Sequence, residues 1–405
     1  MPSRKPALGF IFATLLLDIL GLGLIIPILP RLIEEFHQGD ASAAAHTVGI
    51  LTALYGLMQF LFAPLLGSLS DRFGRRPVIL ISLFGSGLDL LLLAFAPTLG
   101  WFYLGRILAG ITGANFAAAT AYIADISPPE KRAANFGMVG AAFGLGFILG
   151  PALGGILGDI GLRMPFLVAS GLTFINCLYG LFVLPESLST ENRRPFNWGR
   201  SNPAGALLNL KRHPAAAGLA GVTFLSQLAH QSLPSTWVLY TSHRYGWSVG
   251  ETGWSLALVG LCAAVVQGGL TRFVVKRFGE KRSALAGLSV AVLSYLGYGL
   301  ATEGWMIYAL IVFASLGGIA GPSIQAMISQ GAGADEQGGV QGTLGSLGSL
   351  AGIIGPPITA ALFAWFISPS APFQAPGAAF LFSSLLSCIA FAVAFSVLQK
   401  PKTPR

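Results

Sequence analysis

The sequence predicts an all-α membrane protein in which twelve transmembrane helices form two pseudo-symmetric six-helix halves. Three observations carry that expectation. Only 10% of the 405 residues are Asp, Glu, Lys or Arg, against about 25% in soluble domains, so most of the surface must face hydrocarbon rather than water. Twelve apolar runs of about 20 residues, the length that crosses a bilayer core of about 30 Å, follow one another along the chain. Short sequences also recur at a constant offset of 205 residues: Arg72-Phe73-Gly74 with Arg277-Phe278-Gly279, Gly150-Pro151 with Gly355-Pro356, Gly137 with Gly342, and Gly140 with Gly345. A parallel repeat of that kind places substrate near the midplane, between its halves.

The first run, 7–29, follows Arg4 and Lys5 as a signal peptide would, but reaches Pro30-Arg31 without a small-x-small cleavage site and is read as a retained span. Runs two to six cover 46–68, 77–96, 100–122, 133–156 and 164–184. Runs seven to twelve cover 214–236, 250–271, 283–301, 305–327, 339–363 and 374–397. One longer polar segment, between Pro185 and Pro214, divides them, giving an N-terminal half (1–184), a cytoplasmic linker (185–213) and a C-terminal half (214–405). Of the 24 Lys and Arg residues, 20 fall in loops and tails on the side of the N-terminus, against Arg31, Arg163 and Arg244 on the other side and Arg106 within a span. That asymmetry puts both termini in the cytoplasm.

The same counts exclude other classes. The net charge of +8 is spread over short loops rather than gathered with aromatics in one patch, so no nucleic-acid partner is expected. Cys177, Cys262 and Cys388 lie inside apolar runs without metal-ligand or disulfide spacing, and the five histidines show no ligand pattern, so neither a metal site nor an enzyme is expected. No Gly-x-x-x-x-Gly-Lys-Ser/Thr sequence occurs, so any energy the protein uses is expected to come from a gradient or a partner, with no cofactor.

Only Asp18, Asp89 and Arg106 place a charge well within spans. Each costs at least about 2.5 kcal/mol near the bilayer centre, which makes a functional role the default. One carboxylate can pair with Arg106, and a second carboxyl without a countercharge in hydrocarbon favours its neutral form, as a proton carrier requires. Counted from the outer turn, Asp89 and Arg106 lie about 9–10 Å deep on a hairpin and could meet, whereas Asp18 lies about 16 Å deep. Buried amides need protein or water partners. Gln227, His230 and Gln231 stand at i, i+3 and i+4 on one face, and Gln59, Asn115, Gln267, Gln325 and Gln341 also fall within or at the edge of spans. They supply the candidate substrate contacts.

Three stretches resemble a known family. Gly67-Ser-Leu-Ser-Asp71-Arg72-Phe-Gly74-Arg75-Arg76-Pro77 resembles the signature of the major facilitator superfamily between its second and third helices. Here Gly67 is read as permitting close helix approach, Asp71 as facing a helix N-terminus or an Arg, and the arginines as facing the cytoplasm. Leu104-Gly105-Arg106 through Asn115 resembles the fourth-helix motif, and Gly140 through Gly155, with Gly144, Gly146, Gly150, Pro151 and Gly154, resembles the fifth-helix motif of drug/proton antiporters. Small residues there let backbones touch, and Pro151 removes a hydrogen bond and invites a bend, which suits a gate. With Leu17-Asp18 through Pro30 and with Trp237 to Tyr240, the chain is similar to the tetracycline-efflux branch.

The resemblance implies the major facilitator fold and proton-coupled efflux of small amphiphilic drugs, tetracycline-like or multidrug, by alternating access. Its partners would be the drug, protons and the bilayer, with the chain a monomer. It also favours Asp18 over Asp89 as the partner of Arg106 and as the titrating group. Ala291 and Ala263 fall where the tetracycline exporters carry a ninth-helix carboxylate and an eighth-helix histidine. A divalent cation would therefore enter only if the substrate were a chelate. A proton-coupled importer of a small metabolite is the competing expectation, and a membrane-embedded enzyme the minor one.

Overall fold

The computed structural model describes residues 8–113, 115–127, 132–193, 214–330 and 337–399, and its long elements among them are helices. In chain order these are α1 (Leu8–Ile25), α2 (Leu29–Phe36), α3 (Ala41–Phe73), α4 (Arg75–Ala94), α5 (Leu99–Thr112), α6 (Asn115–Ile126), α7 (Arg132–Ile160) and α8 (Met164–Val183). After the linker come α9 (Pro214–His230), α10 (Ser232–Tyr245), α11 (Val249–Val265), α12 (Thr271–Leu300), α13 (Gly304–Ser315), α14 (Ala320–Gln330), α15 (Gln337–Ile367) and α16 (Ala378–Gln399).

Twelve spans follow from these sixteen helices because the spans expected first, fourth, seventh and tenth are each broken. The breaks fall at the Pro27-containing turn before α2, at Gly113, at Gln231 before Pro234, and at the 3-10 turn Leu316–Ile319. A broken span frees backbone N–H and C=O groups at membrane depth, which is tolerable only where protein or a water-lined path receives them. Boundaries move outward from the apolar runs. Helix α3 is 33 residues long, about 50 Å at 1.5 Å per residue, so its polar ends stay helical beyond the hydrocarbon. The eighth span contains a π-helical turn, Val266–Leu270, whose Thr271 hydroxyl donates to the Val266 carbonyl at 2.8 Å, and it runs on helically to Phe278; α12 is kinked at Gly279, whose φ of +78° and ψ of 163° are not helical, and the ninth span follows that kink.

The chain divides into two compact units: 1–38, 54–202 and 248–260 form the first, and 39–53, 203–247 and 261–405 the second. In unit 1 the core gathers Ile11, Leu15 and Ile19 of α1, Val78, Ile79 and Leu83 of α4, and Ala118, Tyr122 and Ile123 of α6. The glycines of α7 let two neighbours, α1 and α11, approach its backbone. A methyl on Gly150 would sit 2.6 Å from the Gly23 Cα, one on Gly146 would sit 2.6 Å from Ile19, and one on Gly154 would strike the Leu24 carbonyl oxygen. On another face, methyls on Gly155 and Gly253 would meet each other's Cα atoms at 3.2 and 3.0 Å. Pro151 is accommodated within an unbroken α7.

In unit 2, Leu219 and Val222 of α9, Ala284 and Leu288 of α12, Ala320 and Ile324 of α14, and Ala390 and Ala394 of α16 form the core. Its aromatic end joins Trp237, Tyr240, Tyr298 and Phe380, where the Tyr240 hydroxyl donates to the Tyr298 carbonyl at 2.6 Å. Large apolar side chains remain exposed outward, among them Ile81 at 72% and Phe182 at 73%. In a protein whose solvent is lipid, those side chains need no further partner.

Candidate functional site

Unit 1 carries all three membrane-embedded charges. Asp89 of α4 is 2% exposed, and its Oδ1 has no hydrogen-bond partner among the described residues. That oxygen lies against Gly105 of α5, where a methyl would come within 2.8 Å, so only a residue without a side chain leaves room for the carboxylate. The next residue is Arg106. Its Nε is buried and likewise without a described partner, no salt bridge of 4.0 Å or less joins it to Asp89, and its guanidinium stands 5.7 Å from the centre of the Tyr55 ring on α3. Asp89 and Tyr55 both lie within electrostatic reach of Arg106, and Tyr55 also within reach of Asp18.

Tyr55 extends the set that sequence reasoning assembled. Its hydroxyl accepts from the Gln59 Nε2 at 2.8 Å, one helical turn away, and both side chains face Gly113, where a methyl would lie 3.1 Å from the hydroxyl and 3.2 Å from the amide. Gly110 admits α3 in the same way, with Met58 Cβ at 2.5 Å from a methyl placed there. The signal was present as a Tyr four residues before a buried Gln, a same-face pair. The side chain of Asn115 lies outside the described residues.

The Gly67–Pro77 segment builds a second cluster in unit 1. The Arg75 Nη1 is 2.5 Å from the Asp71 Oδ1 and donates to the Ser70 hydroxyl at 2.7 Å, while its Nε is 3.1 Å from the Asp125 Oδ2. Glu186 closes the turn: its carboxylate accepts from the backbone N–H groups of Arg75 at 2.9 Å and Arg76 at 3.3 Å, and stands against Gly74, whose φ of +104° favours glycine. The Arg76 guanidinium donates to the Leu181 carbonyl, and Arg72 lies over the Phe73 ring.

Two details differ from the sequence expectation. Arg75 is 8% exposed, held by carboxylates rather than facing solvent. A methyl on Gly67 would meet no described atom within 4 Å, so close helix approach falls on α7 instead of here. Asp125 and Glu186 went unrecognised because their partners are 50 and 111 residues away.

In unit 2, α9 ends at His230, and Gln231 stands in the break before α10. Gln227 and Gln231 still share a face: their Nε2 atoms lie 3.7 and 3.8 Å from methyls placed on Gly348 and Gly352 of α15. Gln267 is exposed within the π-helical turn, and Gln325 lies on α14. Ala291 packs where α12 meets the Leu316–Ile319 turn, its N–H nitrogen 3.5 Å from a methyl placed on Gly317.

Twelve spans in a repeated arrangement, broken helices, and a few charges buried at membrane depth define a polytopic membrane transporter. The chain belongs to the Major Facilitator Superfamily, whose sequence profile matches residues 11–356 and 219–405. It is 44% identical over 358 residues to the class C tetracycline resistance protein of Escherichia coli, covering 88% of this chain and 90% of that one. With multidrug resistance protein 2 of Bacillus subtilis (strain 168) it shares 31% identity over 298 residues, 73% of each chain. Its fold matches the crystal structure of the human organic anion transporter MFSD10 (TETRAN) with a TM-score of 0.70 and 26% identity, covering 96% of this chain and all of that one.

Proposed function

We propose that this protein exports small amphiphilic drugs, tetracycline-like or multidrug, in exchange for protons by alternating access. The observation that carries the reading is a pair of buried groups without a hydrogen-bond partner among the described residues: Asp89 Oδ1, which lies against Gly105, and the Nε of Arg106, the residue after that glycine. A buried charge left without a partner is costly. A site that loads and releases a proton has to keep such a group available, because a carboxylate locked in a permanent ion pair cannot exchange one. Similarity to the class C tetracycline resistance protein supports drugs as the cargo.

In this scheme Asp18, Asp89 and Arg106 couple transport to the proton, with Asp18 the titrating group and Arg106 its countercharge in one state. Gln59, Asn115, Gln227, His230, Gln231, Gln267 and Gln325 are the substrate contacts, with Tyr55 added beside Gln59. The Asp71–Arg75–Asp125–Glu186 cluster and the glycines of α7 serve the conformational change. The halves are 1–184 and 214–405, the segment 185–213 is a cytoplasmic hinge, both termini are cytoplasmic in the inner membrane, and the protein works as a monomer.

The test is a drug-susceptibility panel in cells expressing the protein, repeated with an uncoupler, together with drug uptake into everted vesicles. Resistance should vanish with the uncoupler and with Asp18→Asn. Proton-coupled efflux that survives Asp18→Asn removes Asp18 from its role, and vesicles that take up metabolites but no drug remove the efflux reading.

A further inference from the structure

The turns of the two repeats start alike and are finished differently. Arg72-Phe73-Gly74 and Arg277-Phe278-Gly279 each set a guanidinium over the following ring, at 5.1 and 5.8 Å, and each ends on a glycine with positive φ, +104° and +78°. In unit 1 the turn is answered by carboxylates, Asp71 and Asp125 on Arg75 and Glu186 on the backbone beyond Gly74. In unit 2 the positions 205 residues on from Asp71 and Asp125 are Lys276 and Gln330. Where Glu186 stands against Gly74, a methyl on Gly279 would meet no described atom within 4 Å.

The result is a surface of uncompensated cations. Arg272, Lys276, Arg277, Lys281 and Arg282 are all exposed, and none forms a salt bridge with a described acid; Lys281 donates instead to the Leu398 carbonyl at 3.1 Å. Along the chain, residues 272–282 carry five cations and one acid, Glu280. Between the cations stand Phe273, 63% exposed, and Phe278, 50% exposed. This patch adjoins the start of the ninth span, at the edge of the hydrocarbon.

We propose that this patch is a docking surface for an anionic phospholipid, whose phosphate meets the Arg and Lys side chains while Phe273 and Phe278 enter the interface between headgroup and acyl chains. Basic clusters just outside a span attract anionic headgroups, and aromatic rings prefer the interfacial layer. A free phosphate would satisfy the cations and leave both rings in water, so the aromatics favour a lipid. The inference goes beyond drug export and holds whatever the cargo.

Native mass spectrometry of delipidated protein, titrated with phosphatidylglycerol or phosphatidylcholine of identical acyl chains, tests it. Phosphatidylglycerol should bind at least about tenfold more tightly, with roughly fivefold lost for each cation removed in a Lys276→Gln, Lys281→Gln, Arg282→Gln series. The preference should shrink in high salt. Equal affinity of the unmodified protein for the two lipids overturns the proposal, and so does a preference that the charge series leaves unchanged. Inorganic phosphate binding as tightly as the phosphatidylglycerol would overturn it as well, since the rings would then contribute nothing.

Discussion

Replacing Gly150 by alanine puts a carbon 2.6 Å from the Gly23 Cα, 2.9 Å from the Gly23 carbonyl carbon and 3.0 Å from the Leu20 carbonyl oxygen. Ordinary contact between such atoms needs about 3.5–4.0 Å. All three neighbours are backbone, which cannot turn aside as a side chain can, so α1 and α7 must part by about 1 Å along their shared face. Overpacking of that kind costs typically about 1–3 kcal/mol. Against it stands the gain of about 1 kcal/mol from replacing glycine by alanine in a helix interior. Gly140, on the same helix, isolates that gain, because a methyl there meets no described atom within 4 Å. Gly150→Ala should therefore fall below Gly140→Ala by about 1–3 kcal/mol in reversible unfolding in mild detergent. Equal stabilities of the two variants would refute the account of α7 as a helix pinned by backbone contact.

Other substitutions separate the roles assigned to the charged groups. Asp125→Asn should destabilise by about 1–3 kcal/mol by leaving the Arg75 Nε without its carboxylate, whereas Asp71→Asn should cost less than about 1 kcal/mol because the Asp71 side chain is 45% exposed; thermal unfolding of the two variants checks the order. Asp89→Asn should abolish uptake of drug driven by a pH gradient in everted vesicles while leaving the protein at least as stable, since a neutral amide replaces a buried carboxyl with an unsatisfied oxygen. Tyr55→Phe removes the acceptor for Gln59 Nε2, and a hydrogen bond worth about 0.5–1.5 kcal/mol predicts a drug affinity changed by roughly two- to tenfold, read by equilibrium binding, with the proton requirement intact.

Much of the architecture is written along the chain. Apolar length gives the spans because a bilayer sets one thickness for all of them, and the offset between Arg72-Phe73-Gly74 and Arg277-Phe278-Gly279 reappears as matching cation–ring contacts and positive-φ glycines. The breaks at Gly113 and at Leu316–Ile319 were not legible, since an apolar run looks the same whether its backbone ladder is continuous or interrupted. Nor was the exchange of segments between units: residues 41–53 of α3 pack inside unit 2, where the Ser42 hydroxyl donates to the Ala364 carbonyl at 2.9 Å.

The sequence by itself determined the solvent, the span count, the family and the identity of the three buried charges, because each follows from composition or from residues close along the chain. Only the tertiary structure decided which charges are answered. Arg75 finds Asp125 and Glu186 from segments distant along the chain, Asp89 and Arg106 keep atoms without a partner among the described residues, and no described carboxylate forms an ion pair with the cations around Gly279. The physical reason is that Coulombic and hydrogen-bond partners act over a few ångströms of space, and in a helical membrane protein that proximity is set by where glycines let helices touch.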